Sequence, residues 1–447
     1  MAPHPAPSRP WRSVPRALGL LGLLGGCGNT PIHLGTDDPA EDTTVPARWS
    51  WRDWRPTAHP APVPARAALP VGDPLAVDAL RAPRCRWVPS VGRVLAARNA
   101  TPEVRSLQRV RDSLVLTYTT ATENGAPALY HQRLSGSLGP RGLPALALAW
   151  PDDPSGDVVV STAGLGDHHA TLVSTRAQGC WFLPWQADGA PAGPARLLGA
   201  RSCLGLRATD EGFTYFSSPE QGNPGDVWLV HLRGDGEDGR GHAVLPPVAP
   251  VMQGRSLRPV RVDPDRFVLG WGVPPPAGGI AVALVDSTGS VVSGPDTFPL
   301  PESALGGVQV AAHAQGLVAL WTTQNPVTGL VALRALALGP RGRPALEASS
   351  WTPVPAEGVR FAWAPSLGEP VLAWVTREPG QRQGLLQVAP VEASGRPRTA
   401  PLVLSRCADL REVAVASAAD GAVVVVYTDL CKTAPVPALV AVPLACQ

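Results

Sequence analysis

The chain has 447 residues, 38 of them basic and 36 acidic, for a formal net charge of +2. Such a balance offers no basic stripe for nucleic acid. Lys432 is the only lysine, and with Ala, Pro and Gly so abundant the arginine content reads as genomic composition bias rather than as an arginine-rich binding surface.

In chain order, Arg9, Arg12 and Arg16 precede an apolar stretch from Ala17 to Leu24, then small residues, then Cys27. This is the layout of a secretory signal, and the apolar run falls short of the ~20 residues that span a bilayer. No later apolar segment is long enough either, since the runs from Val423 to Tyr427 and from Pro437 to Cys446 are short and broken. The tetrad Leu24-Gly25-Gly26-Cys27 resembles the bacterial lipobox. That resemblance implies a signal peptide over 1–26, cleavage before Cys27, and acylation of Cys27 as the new N-terminus. Loss of the three arginines would leave 35 basic residues against 36 acidic ones. Gly28 stands where, in the family's sorting logic, an Asp would hold the protein at the inner membrane. The implied address is therefore the outer membrane, facing the periplasm or the cell surface, with stable tethering needing more than one acyl chain.

From Cys27 to Pro74 the sequence is rich in Pro, Asp, Thr and Ala and has little periodicity, as a flexible tether would. Trp49-Ser50-Trp51-Arg52-Asp53-Trp54 interrupts it. These rings are expected to lie on the outer surface of the body; docking to a partner or to the lipid interface is the alternative.

Residues 75–447 are expected to form one all-β body. Beyond residue 85, short β-branched and aromatic runs alternate with Gly, Pro and Asp turns. One unit recurs: a Val- and Leu-rich strand often ending in Trp or Tyr, a loop, a second strand and a Gly-containing turn. Leu114 to Tyr118 leads to Ala128 to Leu134, and Phe267 to Trp271 leads to Ile280 to Val285. Leu317 to Trp321 leads to Leu330 to Leu336, and Val371 to Trp374 leads to Leu385 to Val391. Weaker copies surround Leu172 and Tyr215, and a last one ends at Tyr427. Taking Tyr118, Leu172, Tyr215, Trp271, Trp321, Trp374 and Tyr427 as reference positions gives intervals of 54, 43, 56, 50, 53 and 53 residues. A period near fifty built from strands predicts a single β-propeller of about seven blades. Tandem β-sandwiches would repeat at roughly 100 residues. Strands apolar on successive residues, as in Val423-Val424-Val425-Val426, fit sheets buried on both faces.

With Cys27 given to lipid, the cysteines left are Cys85, Cys180, Cys203, Cys407, Cys431 and Cys446. An even remainder in an exported chain predicts three disulfides, and no Cys-x-x-Cys spacing suggests zinc or redox chemistry. If the strand around Trp87 completes the blade of Ala438 to Cys446, then Cys85 pairs with Cys446, leaving Cys180 with Cys203 and Cys407 with Cys431 as local bridges.

Chemistry-bearing groups are sparse. Asp167-His168-His169 is the densest potential metal group, but neighbouring strand residues face opposite ways, and the reading adopted is a polar inter-strand turn. Asp235-Gly236-Glu237-Asp238-Gly239 lacks the spacing of a calcium loop and reads as a solvated turn. Tyr118, Tyr215 and Tyr427 invite comparison with sialidases, propeller enzymes with a tyrosine nucleophile. Each, however, occupies a position that other copies fill with Trp, which points to core. Asp286-Ser287-Thr288-Gly289 resembles that family's repeated turn only as a generic hairpin. No catalytic residue, metal or cofactor is assigned. The expectation is a lipid-anchored binding or scaffold module for an envelope protein or polysaccharide. The alternative is a glycan hydrolase or lyase with an axial site, which needs two facing acidic residues.

Overall fold

The computed structural model describes the chain from Trp87 to Cys446, apart from connecting stretches of which 151–157, 220–226, 234–239, 246–259, 339–348 and 351–357 are the longest. Cys27, the tether, the tryptophan patch, Cys85, Asp167 and the acidic run at 235–239 lie outside the described residues. All described residues fall in one compact unit, Trp49–Gln447. Among them there is no helix, and so none long and apolar enough to cross a membrane.

The fold is an all-β propeller of antiparallel meanders. Two short strands, β1 (Trp87–Pro89) and β2 (Arg93–Ala97), come first. The first four-stranded sheet holds β3 (Glu103–Val110), β4 (Ser113–Ala121), β5 (Pro127–Leu134) and β6 (Pro140–Ala149). The second holds β7 (Val159–Leu165), β8 (His168–Thr175), β9 (Gly179–Trp185) and β10 (Arg196–Leu198). The third holds β11 (Ala200–Thr209), β12 (Gly212–Pro219), β13 (Val227–Arg233) and β14 (Arg240–Leu245). The fourth holds β15 (Val260–Asp263), β16 (Arg266–Val273), β17 (Gly279–Asp286) and β18 (Val291–Phe298). The fifth holds β19 (Ser303–His313), β20 (Gly316–Gln324), β21 (Val331–Leu338) and β22 (Ser349–Ser350). The rest form one eight-stranded sheet with β1 and β2: β23 (Gly358–Pro365), β24 (Pro370–Arg377), β25 (Gly384–Pro390), β26 (Leu402–Ser417), β27 (Val423–Asp429) and β28 (Ala438–Cys446).

Burial explains why these strands cannot stand alone. Every residue of β27 is buried, as are seven of the eight in β17, whereas the outermost strands β6 and β18 are mostly exposed or half-buried. A strand apolar on both faces needs a sheet above and a sheet below. Seven apolar clusters among the described residues supply those contacts in rotation. Leu129 and Trp150 meet Leu183 and Trp185; Phe182 meets Phe213; Phe216 meets Phe267; Val268 meets Trp321; Leu320 meets Trp374. Val388 then meets Val425, and Val426 with Leu439 meets Tyr118 and Leu116 of the first sheet, so the stack closes on itself.

In the five four-stranded sheets the reference position of the repeat lies on the second strand, from Tyr118 on β4 to Trp321 on β20; Trp374 and Tyr427 lie on β24 and β27 of the eight-stranded sheet, and none of the seven is more than 3 % exposed. Each copy thus begins one strand earlier than its apolar signature, with a more polar inner strand such as Glu103–Val110.

The ends are joined by backbone pairing. Trp87 pairs with Cys446 and Arg93 with Ala441, so both N-terminal strands line the outer side of C-terminal β28. Thr428 Oγ1 donates to the Pro102 carbonyl at 2.7 Å across the same junction. The disulfides Cys180–Cys203 and Cys407–Cys431 are close in sequence, and the first of them links two sheets. The first runs from β9 to β11 of the next sheet, and the second from the outer half of β26 to the residues after β27.

Candidate functional site

The densest group of buried polar side chains lies between the first and second sheets. On β5 the alternating residues Leu129, His131 and Arg133 share one face, and His131 sits opposite Thr117 of β4. On β8, His169 sits between Gly164 of β7 and Trp185 of β9. The two faces meet. His131 Nε2 and His169 Nε2 are 3.2 Å apart, and the His131 ring lies on the Trp185 ring with centroids 3.9 Å apart at 15°. Thr117, Thr162 and Thr171 form a hydroxyl chain alongside, with steps of 3.4 and 3.3 Å, and Trp185 Nε1 donates to Thr171 Oγ1 at 3.1 Å.

Gly164 makes the approach possible. A Cβ there would stand 2.9 Å from His169 Cβ and 3.0 Å from both Val110 methyl groups. The expected polar turn at Asp167-His168-His169 is therefore corrected: His168 opens strand β8, and His169 is 1 % exposed within the seam, committed to a histidine from another sheet. The difference is one of boundaries: the strand begins at His168, so both histidines lie on β8 rather than in the turn before it.

Both imidazoles are held neutral. Burial, then the neighbouring His169, then Arg133 push His131 down to about 3. His169 is pushed down to about 4 by burial and then by Arg133, with Asp188 pulling weakly the other way. A single Nε2 to Nε2 hydrogen bond needs opposite tautomers, one ring donating and the other accepting. Each ring then keeps a buried Nδ1 with no hydrogen-bond partner, so the pair is only half satisfied.

Elsewhere, reactive side chains serve structure. On inner strand β3, Glu103 is paired with Arg105 at 2.6 Å, and Arg105 Nε donates to Thr119 Oγ1 at 3.0 Å. Burial raises the phenol of Tyr215, and burial together with Asp429 pushes Tyr427 up to about 12, so both stay protonated inside the core. Tyr427 OH donates to Asp429 Oδ2, which also accepts from Ser405 Oγ. Asp286 closes its own hairpin: its Oδ1 accepts from the backbone N–H of Thr288 and of Ser290, both at 2.9 Å. Among the described residues no three His, Cys, Asp or Glu side chains gather as metal ligands.

Large exposed apolar side chains sit mostly on the outer strands, with Val327, 90 % exposed, in the turn between β20 and β21. Leu143 and Leu146 lie on β6, Leu197 on β10, Val292 on β18 and Val403 on the outer half of β26; Leu143 is 93 % exposed.

No family model matches this sequence, and no curated protein matches it. Among solved structures the chain is similar to a protein of unknown function from Dyadobacter fermentans DSM 18053, at 12% identity over 82% of this chain and 100% of that one, with a TM-score of 0.49. It is also similar to the polysaccharide lyase Uly1, at 9% identity over 77% and 90% of the two chains with a TM-score of 0.46. The β-propeller domain of the Trilobed protease from Pyrococcus furiosus matches at 7% identity over 77% and 94%, with a TM-score of 0.41.

Proposed function

We propose that this protein is an exported, lipid-anchored propeller that binds an envelope protein or polysaccharide rather than transforming it. Two disulfides fit an oxidising compartment outside the cytoplasm. In this reading residues 1–26 direct export, Cys27 carries the acyl chains, and residues 27–74 are the tether to an outer membrane. Residues 75–447 are the body. Splitting the eight-stranded sheet at β26 gives seven blades, which matches the seven clusters. The pairing of Trp87 with Cys446 supports a third bridge in this reading, Cys85 to Cys446.

The observation that carries the binding reading is the placement of apolar surface. Leu143, Leu146, Leu197 and Val292 stand on outer strands, at sheet edges that can take an added strand or an apolar partner. Meanwhile Glu103, Tyr427 and the histidine pair are occupied in holding the ring together.

Cross-linking in intact cells, followed by capture, compares the native protein with a Leu143→Ser/Leu146→Ser variant. A discrete adduct that the variant loses is expected, whereas an unchanged adduct, or none, refutes the outer-strand surface. Metabolic labelling with an acyl analogue should mark the native chain and leave Cys27→Ala unlabelled; label retained by that variant refutes the anchor.

A further inference from the structure

The histidine seam has a consequence that the binding reading does not require. We propose that the contact between the sheet β3–β6 and the sheet β7–β10 is an acid-sensitive joint, closed only while His131 and His169 are both neutral.

The geometry leaves a proton nowhere favourable to go. With one proton added, the pair becomes a buried cation whose described charged neighbours are Arg133 on the same face of β5 and Asp188 in the turn after β9. Among the described residues the other elements around it contribute uncharged groups. β4 contributes Thr117, β7 contributes Thr162 and Gly164, β3 contributes Val110, and β9 contributes Trp185. Arg133 cannot swing away cheaply, because its Nη2 donates to Ser113 Oγ at 2.8 Å and its stem lies against Gly189. With two protons, both Nε2 atoms become donors facing each other at 3.2 Å with no acceptor between them. Trp185 offers the imidazolium a cation–π contact, which is smaller than the desolvation it would have to offset.

Protonation therefore requires water, and water requires the two sheets to part. The joint is suited to this. Its Nδ1 atoms already lack partners, so opening satisfies groups that closure leaves bare. By contrast, the junction inside the eight-stranded sheet is bridged by the continuous strand β26 and lined by Val371, Val388, Val425 and Val440. Among the described residues no histidine lies in that seam; its buried carboxylate, Asp429, accepts from Tyr427, Ser405 and the Cys431 backbone N–H.

Hydrogen exchange of the full-length protein at pH 6 and pH 5, corrected for intrinsic exchange rates, tests this. Below the ordinary histidine value, opening gains about tenfold per pH unit for each ring that becomes protonated. Protection across 113–134 and 168–185 should fall several tens of fold between the two conditions, while 371–390 and 423–446 hold theirs. A fall shared equally by all four segments, or no fall at all, overturns the proposal. A His131→Asn/His169→Asn variant, which cannot charge, should lose the local pH response, and a response that survives in it also overturns the proposal. The comparison within the native protein stands even where that variant does not fold.

Discussion

Two junctions in this ring answer the same packing problem differently. Between the first and second sheets, a histidine pair, a tryptophan and three threonines share the seam with an apolar half built on Leu129 and Trp150. Inside the eight-stranded sheet, valines and Leu386 fill the seam, one strand runs through it, and Cys407–Cys431 ties the two halves. The difference teaches that the ring does not have uniform strength. Burial of hydrocarbon is indifferent to pH, whereas burial of imidazole makes closure depend on it.

The largest expected effect is at the apolar junction. Leu386→Ala removes a fully buried side chain from the valine cluster and should cost about 2–5 kcal/mol by denaturant titration, equally at pH 8 and pH 5. A loss that varies with pH would break the contrast. Acid should come next. Because both folded-state values lie below the unfolded value of 6.5, the contribution of the pair is complete above 6.5 and drains as the pH falls toward about 4 and then 3. Integrated from pH 8 to pH 5 for two rings, that is about 4 kcal/mol of global stability. The slopes of stability against pH for the native protein and the double Asn variant should coincide above pH 6.5 and diverge below it, the native protein falling more steeply; parallel slopes throughout would remove the histidines from the account. Replacing Cys407 and Cys431 by Ser opens a loop of separation 24 and should lower stability by about 3 kcal/mol on the chain-entropy model. The smallest effect belongs to the outer edge, where Leu143→Ser should change stability by less than about 0.5 kcal/mol while altering partner capture.

The periodic part of the fold was legible because it rests on short-range chemistry. Large apolar residues at Tyr118, Trp271, Trp321 and Trp374 mark the second strand of each sheet, and that strand must be apolar on both faces wherever sheets are stacked. The inner strands were harder to read, since Glu103–Val110 mixes charge with Val and Leu and is buried only at Val104, Leu107 and Val110. β26 was hidden for a related reason. A register shift between Ala408 and Val413 interrupts its pairing at Asp409 to Glu412, a polar stretch that reads as a loop, yet the strand continues through into the next blade. The histidine seam could not have been found by spacing. His131 and His169 are 38 residues apart, and only the stacking of two sheets brings them together. The one available signal was a lone His inside the strand candidate from Ala128 to Leu134.

Backbone pairing between the two ends of the body also dictates an order of assembly. The Thr428 hydroxyl that grips the Pro102 carbonyl is separated from it by 326 residues, and the partner of Trp87 is Cys446. A ribosome must therefore finish nearly the whole body before the circle can shut, and early meanders wait with sticky edges until the last strand arrives. Such long-separation contacts slow maturation.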